Sequence, residues 1–169
     1  MSPTNEPADD WSLAPAVQRC KQNADFLNSL AQFYQDADAS VDAQAAKDAG
    51  EDRACMGGGT CCRFDLMGHR LYLSTGELAF LSQATLPAGR QFQRLRCPFQ
   101  VGPRCMARQF RPLGCRIFFC RRKSLWQQDT YEYFHSRIRN LHDQNALPYR
   151  YMEMTAALHD LDDAGELRQ

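Results

Sequence analysis

C-M-G-G-G-T-C-C at 55–62, C-P at 97–98, Cys105, and R-P-L-G-C-R-I-F-F-C at 111–120 carry seven of the chain's eight cysteines within 66 residues. Regular patterning is sparse in the later part of this stretch. Residues 90–122 contain Pro98, Pro103, Pro112, Gly102 and Gly114. They read as irregular chain with short turns, held by what the cysteines bind rather than by ladders of hydrogen bonds. Gly57-Gly58-Gly59 frees the backbone from the Cβ restriction and lets it wrap closely around something. A nucleotide loop is a weak reading, because no G-x-x-x-x-G-K-[ST] pattern and no apolar strand precede it. Cysteines on both sides of the glycines point to a metal-wrapping loop.

The N-terminus, M-S-P-T-N-E-P-A-D-D, is polar and acidic and lacks the basic and apolar regions of a signal peptide. No apolar run approaches the ~20 residues that cross a bilayer. The expected location is therefore cytoplasmic. There thiols stay reduced, and clustered cysteines hold metal or do redox work more often than they form disulfides. Adjacent Cys61 and Cys62 also suit a disulfide ladder poorly.

Soft thiolates are preferred ligands of zinc and of iron–sulfur clusters. The spacing runs C-x5-C-C, a gap of 34, C-x7-C, nine residues, then C-x4-C. It contains no C-x2-C of a zinc ribbon and no C-x2-C-x2-C-x3-C-P run of a bacterial ferredoxin. One tetrahedral zinc or one cubane cluster takes four thiolates. Seven leave either supporting cysteines or two metals that share bridging thiolates.

Net charge is zero, but the charge is segregated. Residues 1–54 carry four basic and ten acidic side chains, residues 55–122 eleven and two, and residues 123–169 five and eight. All eleven basic residues of the middle segment are arginine, which forks onto anions with fixed geometry. These arginines either screen a metal centre and tune it through hydrogen bonds to sulfur, face an anionic partner, or pair with the acidic flanks.

The flanks read as helices. Val17, Cys20, Ala24, Leu27, Ala31 and Tyr34 recur at helical spacing and predict one helix at about 14–35, with Phe26, Leu30 and Phe33 widening its face. Cys20 lies in this stripe and reads as a small buried residue rather than a ligand. Residues 36–50 are alanine-rich and predict a second helix, exposed, mobile or packed on a partner. Residues 63–66 and 71–73 predict a small hairpin turning at Gly68-His69. Ser74 and Glu77 form a capping box for a helix to about Ser82, with Leu78 and Leu81 on one side.

Asp129 and Glu132 suggest a helix start, with Tyr131, Phe134, Ile138 and Leu141 as its stripe to about Ala146. Residues 149–154 suggest a short strand before a last helix ending near Gly165. Three valines and two isoleucines argue against a large sheet. His135 and His142, seven apart, read as surface residues sharing a face. His69 is a lesser candidate for a ligand or proton shuttle. Trp11 and Trp126 read as core. Phe118 and Phe119 beside Cys120 would shield a centre from water.

In its cysteine order and its R-P-L-G-C-R-I-F-F-C ending, the chain resembles the YkgJ-type cysteine-cluster family. Its members are catalogued as zinc- or iron-chelating proteins and sometimes as iron–sulfur oxidoreductases, and a related domain occurs in flagellin lysine N-methylases. The likeness covers roughly residues 50–122. It implies that Cys55, Cys61, Cys62, Cys97, Cys105, Cys115 and Cys120 are the ligands of the cofactor or metal. The chain shows no nucleotide or methyl-donor motif that would support a methyltransferase.

The fold expected is one mainly α-helical domain with an irregular cysteine-rich metal-binding segment and at most a short hairpin. A flexible tail spans 1–12, a helical region 13–50, the cysteine segment 51–122, and a helical region packing on the same core 123–169. The cofactor expected is an iron–sulfur cluster, of the 4Fe-4S type, or zinc. Two functions follow. One is electron transfer or an oxidoreductase reaction with a protein redox partner. The other is a structural zinc module whose arginine-rich face binds protein or nucleic acid. No membrane partner is expected, no catalytic residue stands out, and the sequence leaves open whether the protein is an enzyme.

Overall fold

The computed structural model describes residues 12–47, 59–89, 92–118 and 125–168. The chain is mainly helical: α1 (Leu13–Gln22), α2 (Ala24–Lys47), α3 (Phe64–Met67), β1 (Tyr72–Ser74), α4 (Thr75–Leu81), β2 (Gln100–Val101), β3 (Arg104–Cys105), α5 (Leu113–Ile117), α6 (Leu125–Gln144), β4 (Tyr151–Glu153) and α7 (Met154–Asp163). Short 3-10 turns cover Thr60–Cys62 and Arg108–Phe110. β1 pairs antiparallel with β4, and β2 with β3. The small sheets agree with the shortage of β-branched residues.

The first helical stretch is broken where one helix was expected. Asn23 leaves the helical region at φ −93° and ψ 94°, and its Oδ1 accepts the Phe26 N–H at 2.9 Å. An Asn that caps a new helix competes with continuation of the old one. The break changes which residues face inward. Val17 and Cys20 are buried as expected, but Ala24 is exposed. Along α2, Phe26, Leu30, Phe33, Tyr34, Ala37, Val41 and Ala45 form the buried stripe. The alanine-rich residues to Lys47 are thus not a separate exposed helix. They continue α2, and small side chains let it approach the core.

The predicted hairpin is also absent. Residues 64–67 form α3, which ends at Gly68 with φ 63°, a left-handed cap natural for glycine. Residues 72–74 do form a strand, but its partner lies at 151–153, in the register Tyr72↔Glu153 and Ser74↔Tyr151. A pairing across some 80 residues leaves no local signal.

α4 sits in the middle of the molecule, with Thr75, Gly76, Glu77, Leu78, Ala79 and Leu81 all buried. α1 and α7 pack on it, while α2 packs on α5 and α6. One cluster of buried side chains runs from Val17 to Leu167 and includes Cys97, Phe99 and Ile117. Cysteine segment and flanking helices therefore share one core. Each fully buried Phe or Leu contributes roughly 1.5–3 kcal/mol as an upper value. α6 begins at Leu125, earlier than the Asp129 start expected, and buried Gln127 donates to the Ile117 carbonyl at 2.9 Å. That bond ties α6 to the end of α5.

Trp126 packs against the core, and Trp11 lies outside the described residues. No described helix is long and apolar enough to cross a membrane.

Candidate metal centre

Five of the seven candidate ligands fall within the described residues: Cys61, Cys62, Cys97, Cys105 and Cys115. Cys55 and Cys120 lie outside them. The five sit on four kinds of support. Cys61 and Cys62 occupy the 3-10 turn after Gly59. Gly59 itself has φ 66°, and its carbonyl accepts Gln100 Nε2 at 2.7 Å. A Cβ there would collide with Gln100 Nε2 and crowd the backbone of Gly102 and Pro103. Close wrapping was expected of this loop, and Gly59 wraps the β2–β3 turn.

Cys97 donates its N–H to the Cys62 carbonyl at 3.0 Å, beside an antiparallel bridge between Arg63 and Arg96. Cys105 ends β3, opposite Gln100. Cys115 lies in α5. Backbone pairing thus brings the Cys61–Cys62 turn against the segment that carries Cys97 and Cys105.

The thiols feel one another. Cys62 is lowered by the thiol of Cys61, but the Cys97 thiol, burial, and the charges of Cys97 and Cys105 together push it up to about 12. Burial raises Cys105, against the lowering influence of the Ala107 backbone, Arg111 and Arg108. Burial raises Cys115 well above its ordinary value. Cys62, Cys105 and Cys61 add to this, and Arg111 opposes them. None of the six described cysteines is in a disulfide. Cys97 is buried, and Cys61, Cys62, Cys105 and Cys115 are partly buried. Among the described residues, no three His, Cys, Asp or Glu side chains are gathered as around one metal ion. The donor set is nonetheless chemically suited to a soft metal: desolvated sulfur, with Arg108 and Arg111 close enough to offset thiolate charge.

α5 is held by two buried charged groups. Glu77 is 1 % exposed. Its Oε2 accepts Ser74 N–H at 2.8 Å, which completes the expected capping box. Its Oε1 accepts the Leu113 N–H at 2.8 Å, at the first residue of α5. One carboxylate therefore caps two helices, at ends where negative charge is favoured. Burial pushes its pKa above the ordinary carboxylate range, against the lowering effect of those N–H groups.

Arg116 donates to Asp38 Oδ2 at 2.6 Å and to the carbonyls of Arg111 and Gln109 at 2.8 Å, and it lies 4.2 Å over the Tyr34 ring. The conspicuous R-P-L-G-C-R run thus contains one arginine that is structural and pairs with the acidic N-terminal flank.

The other candidates fare differently. Cys20 is fully buried in α1, where burial pushes its thiol up to about 12. His69 is exposed, with its ring edge on Phe64 at 5.2 Å. Phe118 is 39 % exposed and packs on Tyr131 at 5.3 Å, and Phe119 lies outside the described residues.

His142 is fully buried, not a surface residue. Its Nε2 accepts the Gly76 N–H at 3.2 Å, and burial lowers its pKa, so it is the neutral imidazole. Its place was available in the sequence: Phe134, Ile138 and His142 recur every four residues along α6. His135 is partly buried among Tyr131, Tyr149 and Tyr151, with Nε2 2.9 Å from the Tyr149 hydroxyl.

No family model, curated protein or solved structure matches the chain. The likeness to the cysteine-cluster family rests on the cysteine order and the Arg111–Cys120 motif.

Proposed function

We propose that the protein is a cytoplasmic metal-binding protein whose clustered cysteines hold an iron–sulfur cluster of the four-iron type, with electron transfer as its role. Members of the cysteine-cluster family it resembles are catalogued as zinc- or iron-chelating proteins and sometimes as iron–sulfur oxidoreductases. One observation carries the reading: Cys62, Cys105 and Cys115 each feel the charge of other cysteines of the group, Cys97 adjoins Cys62, and Arg108 and Arg111 lie beside them in a partly buried setting.

Cys61, Cys62, Cys97, Cys105 and Cys115 would supply the sulfur ligands, with Cys55 and Cys120 completing the set. A bound cluster would provide a one-electron couple. The residues around it do the rest. Glu77 fixes the start of α5 and with it Cys115. Arg108 and Arg111 offset the thiolate charge that binding requires. Cys62, Cys105 and Cys115 are raised above the ordinary thiol value and so stay protonated, and loading there displaces protons and weakens on acidification.

Metal and acid-labile sulfide analysis with an absorption spectrum, on protein purified without oxygen, tests the proposal. Iron and sulfide near four per chain (the stoichiometry of a cubane) with brown absorption bleached by dithionite is the expected result. Zinc at about one or two per chain without colour overturns the redox reading and makes the centre structural.

A further inference from the structure

Five large aliphatic or thioether side chains stand exposed among the described residues: Leu66 (65 %), Met67, Leu95, Val101 and Met106 (56 %). All five belong to the cysteine-bearing segment. The other large apolar residues exposed there, Tyr72, Phe118, Tyr133 and Tyr151, are aromatic and lie outside this group.

Backbone bonds bring the segments that carry them side by side, and Val101 pairs with Arg104 across the β2–β3 turn. The Asp65 N–H donates to the Leu95 carbonyl at 3.0 Å, Arg63 bridges Arg96, and Met106 N–H donates to Phe99 at 2.9 Å. Cys62, Cys97 and Cys105 directly adjoin Arg63, Arg96 and Met106 in sequence, so this rim of exposed residues lies on the segments that carry the thiols.

The rim is cationic as well as apolar. Arg94, Arg104 and Arg108 are exposed, and Arg63 and Arg96 partly so. The one described carboxylate among them, Asp65, is held by the fork of Arg63 through two bonds of 3.2 Å. Exposed Leu and Met side chains are a desolvation cost unless something covers them, and methionine and arginine are both enriched at protein interfaces.

We propose that this rim is a docking surface for an acidic protein segment that carries apolar side chains and seats over the cysteine mouth. Excess positive charge calls for carboxylates, and arginine meets them with a planar fork. The leucine and methionine side chains call for apolar partners between those carboxylates. A nucleic acid would bring phosphate against Leu66 and Met106 and find no exposed aromatic ring on the rim to stack on. A membrane surface is best met by one continuous amphipathic helix, whereas this rim is assembled from α3, a loop and a two-residue-strand hairpin. The surface stands whether or not the cysteines hold metal.

The test sorts a yeast-displayed library of random dodecapeptides against the full-length protein. Enriched peptides should combine an excess of Asp and Glu with Leu, Ile or Phe, and bind more weakly as salt rises. The double variants Arg104→Glu/Arg108→Glu and Leu66→Ser/Met106→Ser should each weaken them about tenfold or more, as hot-spot losses do. Tyr133→Ser, exposed on α6, should leave binding unchanged. Circular dichroism should show all three variants folded, since every altered side chain is exposed.

Four outcomes overturn the proposal. They are no enrichment, enrichment without acidic bias, binding by either double variant as tight as by the unaltered protein, and stronger competition by a single-stranded oligonucleotide or by phosphatidylserine–phosphatidylcholine vesicles than by the peptides themselves.

Discussion

The helical frame and the cysteine segment solve the problem of holding a chain together by different means. In α1, α2, α6 and α7, repeating apolar side chains at helical spacing bury one face, and edge-on aromatic pairs such as Phe33 with Phe134 at 5.4 Å lock helix to helix. Between Gly59 and Ile117 the regular elements are short. Order there comes from single polar groups that reach across the fold: Gln100 to Gly59, Glu77 to Leu113, Arg116 to Asp38. A frame built on many weak contacts tolerates the loss of any one. A segment built on a few strong ones does not, and each perturbation below should expose that difference.

The largest effect is expected at Glu77, where the frame reaches into the cysteine segment. Glu77→Ala strands two buried N–H groups, at about 1–3 kcal/mol each. Denaturant unfolding should register a loss of roughly 3 kcal/mol. Glu77 also sets a pH dependence. Its folded pKa lies above the unfolded one, so between the two the native state holds the extra proton and stability falls as pH rises from the ordinary carboxylate range. Glu77→Gln should remove that slope; a slope that survives would show that another group titrates there.

The next effect separates two glycines. A Cβ at Gly76 would strike the Phe26 ring and His142 Nε2, the latter at 2.6 Å, both fixed inside the frame. Gly76→Ala should cost about 2 kcal/mol by overpacking. A Cβ at Gly114 would meet the end of the Leu71 side chain at 2.6 Å, and that leucine is only partly buried and can turn aside. Gly114→Ala should cost under about 1 kcal/mol by the same reasoning. Equal melting temperatures for the two variants would break the comparison.

The smallest effect sharpens it. Cys20→Ser places a hydroxyl in the apolar core and should cost about 1–2 kcal/mol without changing metal content. Cys62→Ser, in the partly buried turn, should leave metal-free stability within about 0.5 kcal/mol and abolish or reduce bound metal. Metal content that falls with Cys20→Ser and not with Cys62→Ser would reverse the roles assigned to them.

Much of the frame was legible, because helical periodicity and caps are local. The Ser74–Glu77 box, the Tyr151–Glu153 strand and the final helix all stand near where residue patterns place them. The Asn23 break was missed because apolar spacing runs straight through it, while a single side-chain acceptor decides the geometry. The β1–β4 pairing and the second role of Glu77 were not legible, since both depend on partners dozens of residues away. His142 was legible and was overlooked: a histidine in register with Phe134 and Ile138 belongs inside. For the candidate centre, the cysteine order singled out the segment from sequence alone. It gave no hint that Arg116 serves the scaffold or that Arg63 and Arg96 lie side by side.

The register that joins Tyr72–Ser74 to Tyr151–Glu153 also sets an order of events during synthesis. At roughly 5–20 residues per second, a ribosome needs some 4–16 seconds to make the chain between these strands. During that interval the cysteine segment is completed, while β4 and α7, which cover β1 and α4, have not been made. Nascent chains arrested before Tyr151 should therefore leave the stretch from Tyr72 to Leu81 open to a protease, and released full-length chains should protect it. β1 and α4 wait for elements made last, and any loading of metal before then takes place on an unfinished fold.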